Sequence, residues 1–511
     1  MPFHSILSEH PEDPGAPEPT EPPECFANLH LDEIVASMTS SREGFRLAPF
    51  YYVPANDVET IGYRHEVFRN LEDDGLRGVL RAFAAKLQSV LDRADAAKRI
   101  PYRYEQERWT LDAASAYAEA ILELSHRLDR DNLRARGLRA FAEYLGAYAA
   151  SAEFKRLVAD ADHVTTELAS VRYRLRIQGG RVTVSGYLPE PDYGAEVLET
   201  FEKFNQGTAR DDRWRFDQVP TMNHVQAAIV DRLARLYPDV FAALDAAYLR
   251  HRDFLDATIA RFAHEIGFYV AYLEHIAPLR RAGLPFCYPE VVERPNAIRG
   301  ADVFDLALAA HFMDDGAPIV TNDFELTRPE RILVISGPNQ GGKTTFARTI
   351  GQLHHLARIG VPVPGRAARL PLVDQIFTHF GQAEEVEDLT SRLEDDLLRI
   401  RRILDAATVD SLVVMNESFS STTVSDQLFI GRRVLRRMID CGLLGVVVTF
   451  LDELASLDAT TVSMLSTVDP MEPDRRTFRI VRRPADGLAY AMAIAEKHRL
   501  TYRAVRERVT G

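Results

Sequence analysis

The stretch from residue 332 to residue 345 constrains the fold of this chain more than any other. An apolar segment, Ile332-Leu-Val-Ile-Ser336, runs into Gly337-Pro-Asn-Gln-Gly-Gly-Lys343-Thr344-Thr345, and a helical pattern follows. This is the GxxxxGK[ST] pattern in a strand–loop–helix setting. Glycines let such a loop fold tightly enough for its N–H groups to point at phosphate oxygens, and the helix N-terminus adds partial positive charge. The sequence therefore predicts a phosphate-binding loop in an α/β domain.

This loop supplies most of the predicted nucleotide-binding residues. Lys343 is expected to pair with the β- and γ-phosphates of ATP, and the hydroxyl of Thr344 is expected to bind Mg²⁺. The full predicted set in the loop is Gly337, Pro338, Asn339, Gln340, Gly341, Gly342, Lys343, Thr344 and Thr345.

A second apolar segment, Leu412-Val-Val-Met415, ends at Asn416-Glu417. Glu417 is the predicted catalytic residue, because a carboxylate at the end of such a strand can orient and activate the attacking water. Asn416 stands where an aspartate would normally help to hold the hydrated metal. Thr344, Asn416 and Glu417 are thus the predicted metal site, and the missing negative charge favours weaker Mg²⁺ binding and slow ATP hydrolysis.

Composition along the chain predicts three regions. Residues 8–24 are rich in Pro and Glu, so residues 1–28 are interpreted as a flexible tail. Residues 29–300 show mostly helical periodicity, and residues 301–511 contain short apolar strands that alternate with helices, which is typical of a largely parallel sheet.

Two patterns in the helical region have more than one interpretation. One is an apolar stripe with spacings of four and three, expected to end at Pro278, which either packs inside its own domain or forms a dimer seam. Its members are Leu255, Ile259, Phe262, Ile266, Tyr269, Leu273 and Ile276. The other is a β-hairpin near residues 170–187, whose basic face either contacts a phosphate backbone or is an ordinary solvated face. The arginines on it are Arg172, Arg174, Arg176 and Arg181.

Charge and cysteine content restrict the partners and the compartment. The net charge is −14, which argues against a general nucleic-acid binder but not against a clamp with a small basic lining. The three cysteines lie far apart, so no metal or disulfide spacing is present. A secretory leader and a long apolar run are both missing, and we expect a cytoplasmic protein without a membrane span.

The stretch GPNQGGKTTFARTIGQ resembles the phosphate loop of the MutS family of DNA mismatch repair proteins. The similarity continues upstream in Val320-Thr-Asn322-Asp323 and downstream in Ile359-Gly-Val-Pro-Val-Pro and in residues 367–381. It is strong over residues 320–460 and weaker through the helical part, where Leu31-Asp-Glu-Ile is also similar. The implied fold is multidomain: a mainly α-helical core and lever region with a hairpin, then an α/β P-loop NTPase domain of the MutS/ABC type.

The resemblance also implies partners and further site residues. It places Asn322 and Asp323 beside the nucleotide base, and it implies a homodimer in which Ser391 of the opposite subunit reaches the γ-phosphate. It implies dimerisation helices at the C-terminal end of residues 301–511. Four departures from the family pattern argue against fast ATP hydrolysis and against direct recognition of a mismatched base. They are the lack of room for an N-terminal mismatch-recognition domain, Leu389 at the signature glycine, Ser418-Phe-Ser-Ser421 in place of glycines, and Phe450 in place of a histidine.

Two functions follow as hypotheses. The first is a dimeric, ATP-dependent DNA clamp in repair or recombination that recognises DNA structure more than a mismatched base. The alternative is a nucleotide-gated protein-interaction module that does not bind DNA. The arginine hairpin and the family resemblance favour the first, whereas the acidic balance favours the second.

Overall fold

The computed structural model describes residues 3–10, 21–40, 46–128, 133–187, 221–312, 318–381, 389–469, 471 and 476–484. These residues form two compact units. The first unit comprises Met1–Arg77, Asp131–Ala140 and His264–Gly511, and the second comprises Gly78–Arg130 and Phe141–Ala263. The helical region and the α/β region predicted from the sequence are both present.

The helices are α1 (Cys25–Leu29), α2 (Leu31–Thr39), α3 (Ala48–Tyr52), α4 (Val58–Leu71), α5 (Asp74–Ala97), α6 (Arg103–Arg127), α7 (Arg136–Ala150), α8 (Ala152–Ser170), α9 (His224–Leu236), α10 (Pro238–His251), α11 (Ala257–Arg281), α12 (Leu306–Phe312), α13 (Lys343–Arg358), α14 (Leu389–Ala406) and α15 (Val424–Asp440). A 3₁₀ helix spans Asp452–Ser456.

The strands are β1 (Tyr173–Gln178), β2 (Arg181–Gly186), β3 (Phe286–Cys287), β4 (Glu290–Val292), β5 (Ala297–Val303), β6 (Asn322–Thr327), β7 (Ile332–Ser336), β8 (Val363–Pro364), β9 (Ala367–Pro371), β10 (Ile376–Phe380), β11 (Leu412–Asn416), β12 (Leu444–Val448), β13 (Thr461–Val468) and β14 (Arg476–Arg482).

A six-stranded sheet organises the first unit. Its order is β10-β11-β12-β7-β13-β14, and every neighbouring pair is parallel except β13–β14. The inner strands β7 and β12 are buried along their whole length, which explains their continuous apolar sequences. The carboxyl ends of β7, β11 and β12 meet at one edge, so the loops that follow them lie together.

The division of the chain differs from the predicted boundary at residue 300. Helical segments from both ends of the predicted helical region pack on the α/β region within the first unit. Gln352 donates a hydrogen bond to the carbonyl of Leu29 (2.9 Å), and Arg64 donates to the carbonyl of Ile359 (2.9 Å). The hydroxyl of Tyr272 donates to the carbonyl of Pro362. Because these contacts join residues 90 to more than 300 positions apart, composition along the chain did not reveal them.

The predicted tail is also partly wrong. Ile6 is completely buried, and its N–H donates to Glu265 (2.9 Å), as does the hydroxyl of Ser5 (2.8 Å). Residues 25–29 form α1. Residues 11–20, the centre of the Pro- and Glu-rich stretch, lie outside the described residues.

Helix α11 carries most of the predicted apolar stripe. It is buried on other faces as well, since Phe268, Val270 and Tyr272 are as inaccessible as the stripe residue Tyr269. The stripe therefore packs within its own chain and is not a dimer seam. The helix does not end at Pro278. It continues to Arg281, because a proline in the last turn removes only its own N–H bond, and the chain then turns at a Gly283 in the left-handed region (φ 89°).

The second unit contains the hairpin β1–β2 and a buried carboxylate. Glu107 on α6 is only 3% exposed, close to Arg103 and to Asp245 on α10. Burial, together with Asp245, raises the pKa of Glu107 to about 7. This carboxyl group is therefore mostly protonated in the folded protein at pH values below about 7.

Candidate functional site

The loop after β7 is shaped by its contact with β13. A Cβ on Gly337 would lie 2.9 Å from the carbonyl oxygen of Ser466, and one on Gly341 would lie 2.3 Å from its hydroxyl. Ser466 is completely buried and donates a hydrogen bond to the carbonyl of Gly341 (2.7 Å). Glycine is thus required at both positions by close approach, and Gly337 also has a φ of 120°. Sequence reasoning missed Ser466, because its role depends on strand order.

Lys343 begins helix α13 and is folded back onto the loop. Its Nζ donates to the carbonyls of Gly337 and Pro338, both at 3.0 Å, and its side chain is almost fully buried. The same Nζ lies 4.5 Å from the centre of the Phe450 ring, a cation–π contact. Burial lowers the pKa of Lys343, and the nearby carboxylate of Glu417 partly opposes this.

Thr344 and Asn416 are hydrogen-bonded to each other. The hydroxyl of Thr344 donates to Oδ1 of Asn416 at 2.8 Å, at the end of β11. Glu417 follows in the left-handed region (φ 48°), and its N–H donates to the carbonyl of Val448 (3.0 Å). The three predicted metal-site residues are therefore adjacent. Among the described residues, no group of three or more His, Cys, Asp or Glu could hold an ion by itself.

A cavity of about 870 Å³ opens from this loop. Its lining includes the loop residues 340–345 and Glu417. Its apolar lining includes Val303, Phe304, Leu308, Phe312, Pro318, Ile319, Val320 and Phe478, and Phe478 lies beside Gly342 of the loop. Gly337, Pro338 and Asn339 do not line the cavity. The first two contribute carbonyls to Lys343, and the carbonyl of Asn339 accepts from Arg476 (3.1 Å).

Asn322 and Asp323 do not act together. Asn322 lines the cavity, but its amide is used to hold β14, because it donates to the carbonyl of Phe478 (3.1 Å) and accepts from the N–H of Ile480 (2.8 Å). Asp323 is exposed and accepts from the N–H of Asp302 (2.7 Å) instead. Side chains alternate along β6, so the two residues point to opposite faces, and Asp323 is not among the residues that line the cavity.

Phe478 is a cavity residue that the sequence did not reveal. Its φ is 57°, a conformation that an aromatic residue rarely adopts, and the residue is 49% exposed. The side chain of Asn322 holds this backbone in place, because it donates to the carbonyl of Phe478 and accepts from the N–H of Ile480.

The comparisons with known proteins agree with this architecture. Residues 333–505 match the family model for MutS domain V. Endonuclease MutS2 of Thermus thermophilus is 31% identical over 180 residues, which is 35% of this chain and 24% of that protein. DNA mismatch repair protein MutS of Psychrobacter cryohalolentis is 36% identical over 141 residues, 27% of this chain and 14% of that protein.

Residues 333–505 therefore belong to the MutS domain V family. The aligned part spans a quarter or less of the length of these two MutS-family relatives. In the part of the chain that the structure describes, no helix is long and apolar enough to cross a membrane.

Two elements predicted from the family resemblance lie in regions that the structure describes incompletely. The backbone of Ser391 is in the first turn of α14, but its side chain lies outside the described residues. Residues 485–511, where the sequence predicts dimerisation helices, are also outside them.

The hairpin β1–β2 belongs to the second unit. Gln178 pairs with Arg181 and Arg174 with Ser185, so Arg174, Arg176 and Arg181 share one exposed face, and Arg172 continues it by alternation. The other face carries exposed apolar residues, namely Tyr173, Leu175 and Ile177.

Proposed function

We propose that this chain binds ATP with Mg²⁺ in the 870 Å³ cavity and hydrolyses it slowly. The observation that carries the proposal is a single cavity lined both by the glycine loop with Lys343 and by several apolar side chains. A triphosphate fits the loop, because loop N–H groups and a helix N-terminus favour anions, and an uncharged base fits the apolar lining.

Each residue then has a distinct role. Lys343 exchanges its two carbonyl partners for phosphate oxygens, which restores the solvation that its burial removes. Glu417, fixed by its N–H bond to Val448, accepts the hydrogen bond of a water and orients it toward the γ-phosphate.

The residues present fit Mg²⁺. The hydroxyl of Thr344 and the amide oxygen of Asn416 are oxygen donors that already lie 2.8 Å apart. When bound, Mg²⁺ would neutralise phosphate charge, and Thr344 would hold it directly while Asn416 holds one of its waters.

Two variants test this function. Lys343→Ala should weaken ATP binding at least tenfold, whereas Glu417→Gln should keep binding within threefold and abolish hydrolysis. The measurements are calorimetric titration with MgATP and phosphate release at saturating ATP. Wild-type protein that does not bind MgATP at millimolar concentration would refute the proposal, and undiminished hydrolysis in Glu417→Gln would remove Glu417 from the mechanism.

We further propose that two copies act together, with Ser391 of one completing the site of the other. Mixing Lys343→Ala with Ser391→Ala tests this, because a mixed dimer contains one intact site. Each variant alone should be inactive, and an equimolar mixture should recover about a quarter of wild-type activity if subunits exchange freely. No recovery despite demonstrated exchange would contradict a shared site.

DNA is the proposed partner, and the arginine face of the hairpin is its proposed contact. MutS relatives support this, since one is named for DNA mismatch repair. Affinity for duplex, mismatched and branched DNA should fall with salt, and each lost phosphate contact should reduce the slope by about 0.9. The test variant changes Arg172, Arg174, Arg176 and Arg181 to Gln. A control with the same loss of charge changes the exposed Arg432, Arg433, Arg436 and Arg437 of α15.

An equal slope in the hairpin variant and the control would reject the hairpin as the DNA contact. A protein partner without DNA binding remains the second candidate, favoured by the exposed apolar face of the same hairpin. Ile177 there is 74% exposed. Absence of DNA binding at low salt would select this candidate.

A further inference from the structure

His379 is a buried imidazole at the carboxyl end of β10. Its side chain is completely inaccessible, and in the sheet it lies opposite Met415, two residues before Glu417. The Phe419 ring packs beside it, with ring centres 6.0 Å apart. A buried polar ring needs partners for its nitrogens, so the groups it faces indicate its role.

The two ring nitrogens face two different elements. Nδ1 lies 2.9 Å from the hydroxyl of Ser418, directly after Glu417. Nε2 lies 3.3 Å from Oδ1 of Asp396 on α14, without the alignment of a hydrogen bond. One side of the ring is therefore bonded, and the other faces a carboxylate that a small movement would bring into line.

Residues 417–421, here called the Glu417 loop, depend on outside contacts for their shape. Glu417 and Phe419 have φ values of 48° and 65°, a region that non-glycine residues seldom occupy. Ser418 lies between them and provides the bond to His379. A glycine at residue 418 could not make this bond.

The geometry points to His379 as a positioning residue that couples helix α14 to the Glu417 loop. In the neutral tautomer with the proton on Nε2, the ring donates toward Asp396 and accepts from Ser418. A hydrogen bond between Nε2 and Asp396 would fix the orientation of the ring, and the ring would then fix the hydroxyl of Ser418. The helix that carries Ser391 in its first turn thereby sets the orientation of the loop that carries Glu417. This inference rests on the proposed function, since ordering Glu417 serves hydrolysis.

The test changes the two contacts of His379 and leaves His379 itself unchanged, because His379→Ala would open a buried cavity and destabilise the fold. Asp396→Asn and Ser418→Ala each break one contact, and Asp395→Asn, an exposed neighbour on α14, is the control. Hydrogen exchange of residues 417–421 is measured without nucleotide. We expect at least threefold faster exchange in Asp396→Asn than in Asp395→Asn, although the changed residue lies on another element. Equal exchange in the two variants would overturn the inference.

Steady-state hydrolysis provides the second measurement. Asp396→Asn and Ser418→Ala should each lower kcat about tenfold with KM within twofold, and the double variant should be no slower than the slower single variant. Asp396→Glu should recover part of the loss. Independent, multiplicative effects would overturn the coupling. If the wild type neither binds nor hydrolyses ATP, the proposed function fails, and the nucleotide-free exchange comparison still decides the role of His379.

Discussion

The sharpest consequence of this site concerns the amide at residue 416. Its Oδ1 accepts the hydroxyl of Thr344 at 2.8 Å, and Mg–O distances are about 2.1 Å. A carboxylate in its place would thus lie within about 5 Å of an ion bound to that hydroxyl. A negative charge at that distance attracts a divalent cation by about 1.7 kcal/mol even at the dielectric constant of water. This attraction alone corresponds to about 20-fold, and repulsion of the triphosphate offsets part of it, so Asn416→Asp should tighten MgATP binding several-fold.

The sign of the effect should reverse without the metal. In EDTA the added carboxylate repels the triphosphate, so Asn416→Asp should bind ATP several-fold more weakly than wild type. Asn416→Ala removes the oxygen without adding charge and should weaken binding in both conditions. Calorimetric titration at fixed ionic strength, with Mg²⁺ and with EDTA, measures all four cases. Affinities within twofold of wild type in both conditions would show that residue 416 does not face the metal.

Three other predictions follow from contacts described above. Gly341→Ala places a methyl group 2.3 Å from the hydroxyl of Ser466, so ATP affinity should fall at least tenfold. Adding Ser466→Gly should restore part of the affinity, and calorimetric titration of the single and double variants measures both effects. Burial raises the pKa of Glu107 to about 7. The contribution of the protonated carboxyl group to the free energy of unfolding is therefore complete below pH 4.5 and is lost as the pH rises to 7. Glu107→Gln should thus be more stable than wild type by on the order of 2 kcal/mol at pH 8 but not at pH 4.5 in urea unfolding, and an equal difference at both pH values would contradict the assignment. Phe450→Leu removes a cation–π contact worth about 0.5–1 kcal/mol that holds Lys343 in the nucleotide-free arrangement, so ATP affinity should rise two- to fivefold, while Phe450→Tyr, which keeps the ring, should not change it.

The sequence predicted the parts of the fold that depend on local pattern. The strand Ile332–Ser336 and the glycine loop were predictable because a continuous apolar run and fixed glycine spacing require that geometry. The opposite orientation of Asn322 and Asp323 was predictable in principle as well, since residues two apart share a face of a strand and adjacent residues do not.

Other parts depend on contacts between distant residues. Ser466 shapes the loop only because β13 lies beside β7. The order of strands in a sheet cannot be predicted from the sequence of any single strand. The packing of Ile6 against α11 joins residues about 260 positions apart. The sequence around Phe478 predicts an ordinary strand residue, whereas its unusual backbone conformation is held by a hydrogen bond from the side-chain amide of Asn322.

The antiparallel pair β13–β14 contacts both the phosphate loop and the cavity. Ser466 on β13 shapes the phosphate loop, and Phe478 on β14 is one of the apolar residues that line the cavity. A ligand fragment that moves either strand must therefore also shift the other strand, which is paired with it. Adenosine and inorganic triphosphate, added as separate molecules, should consequently bind with positive cooperativity, each raising the apparent affinity for the other.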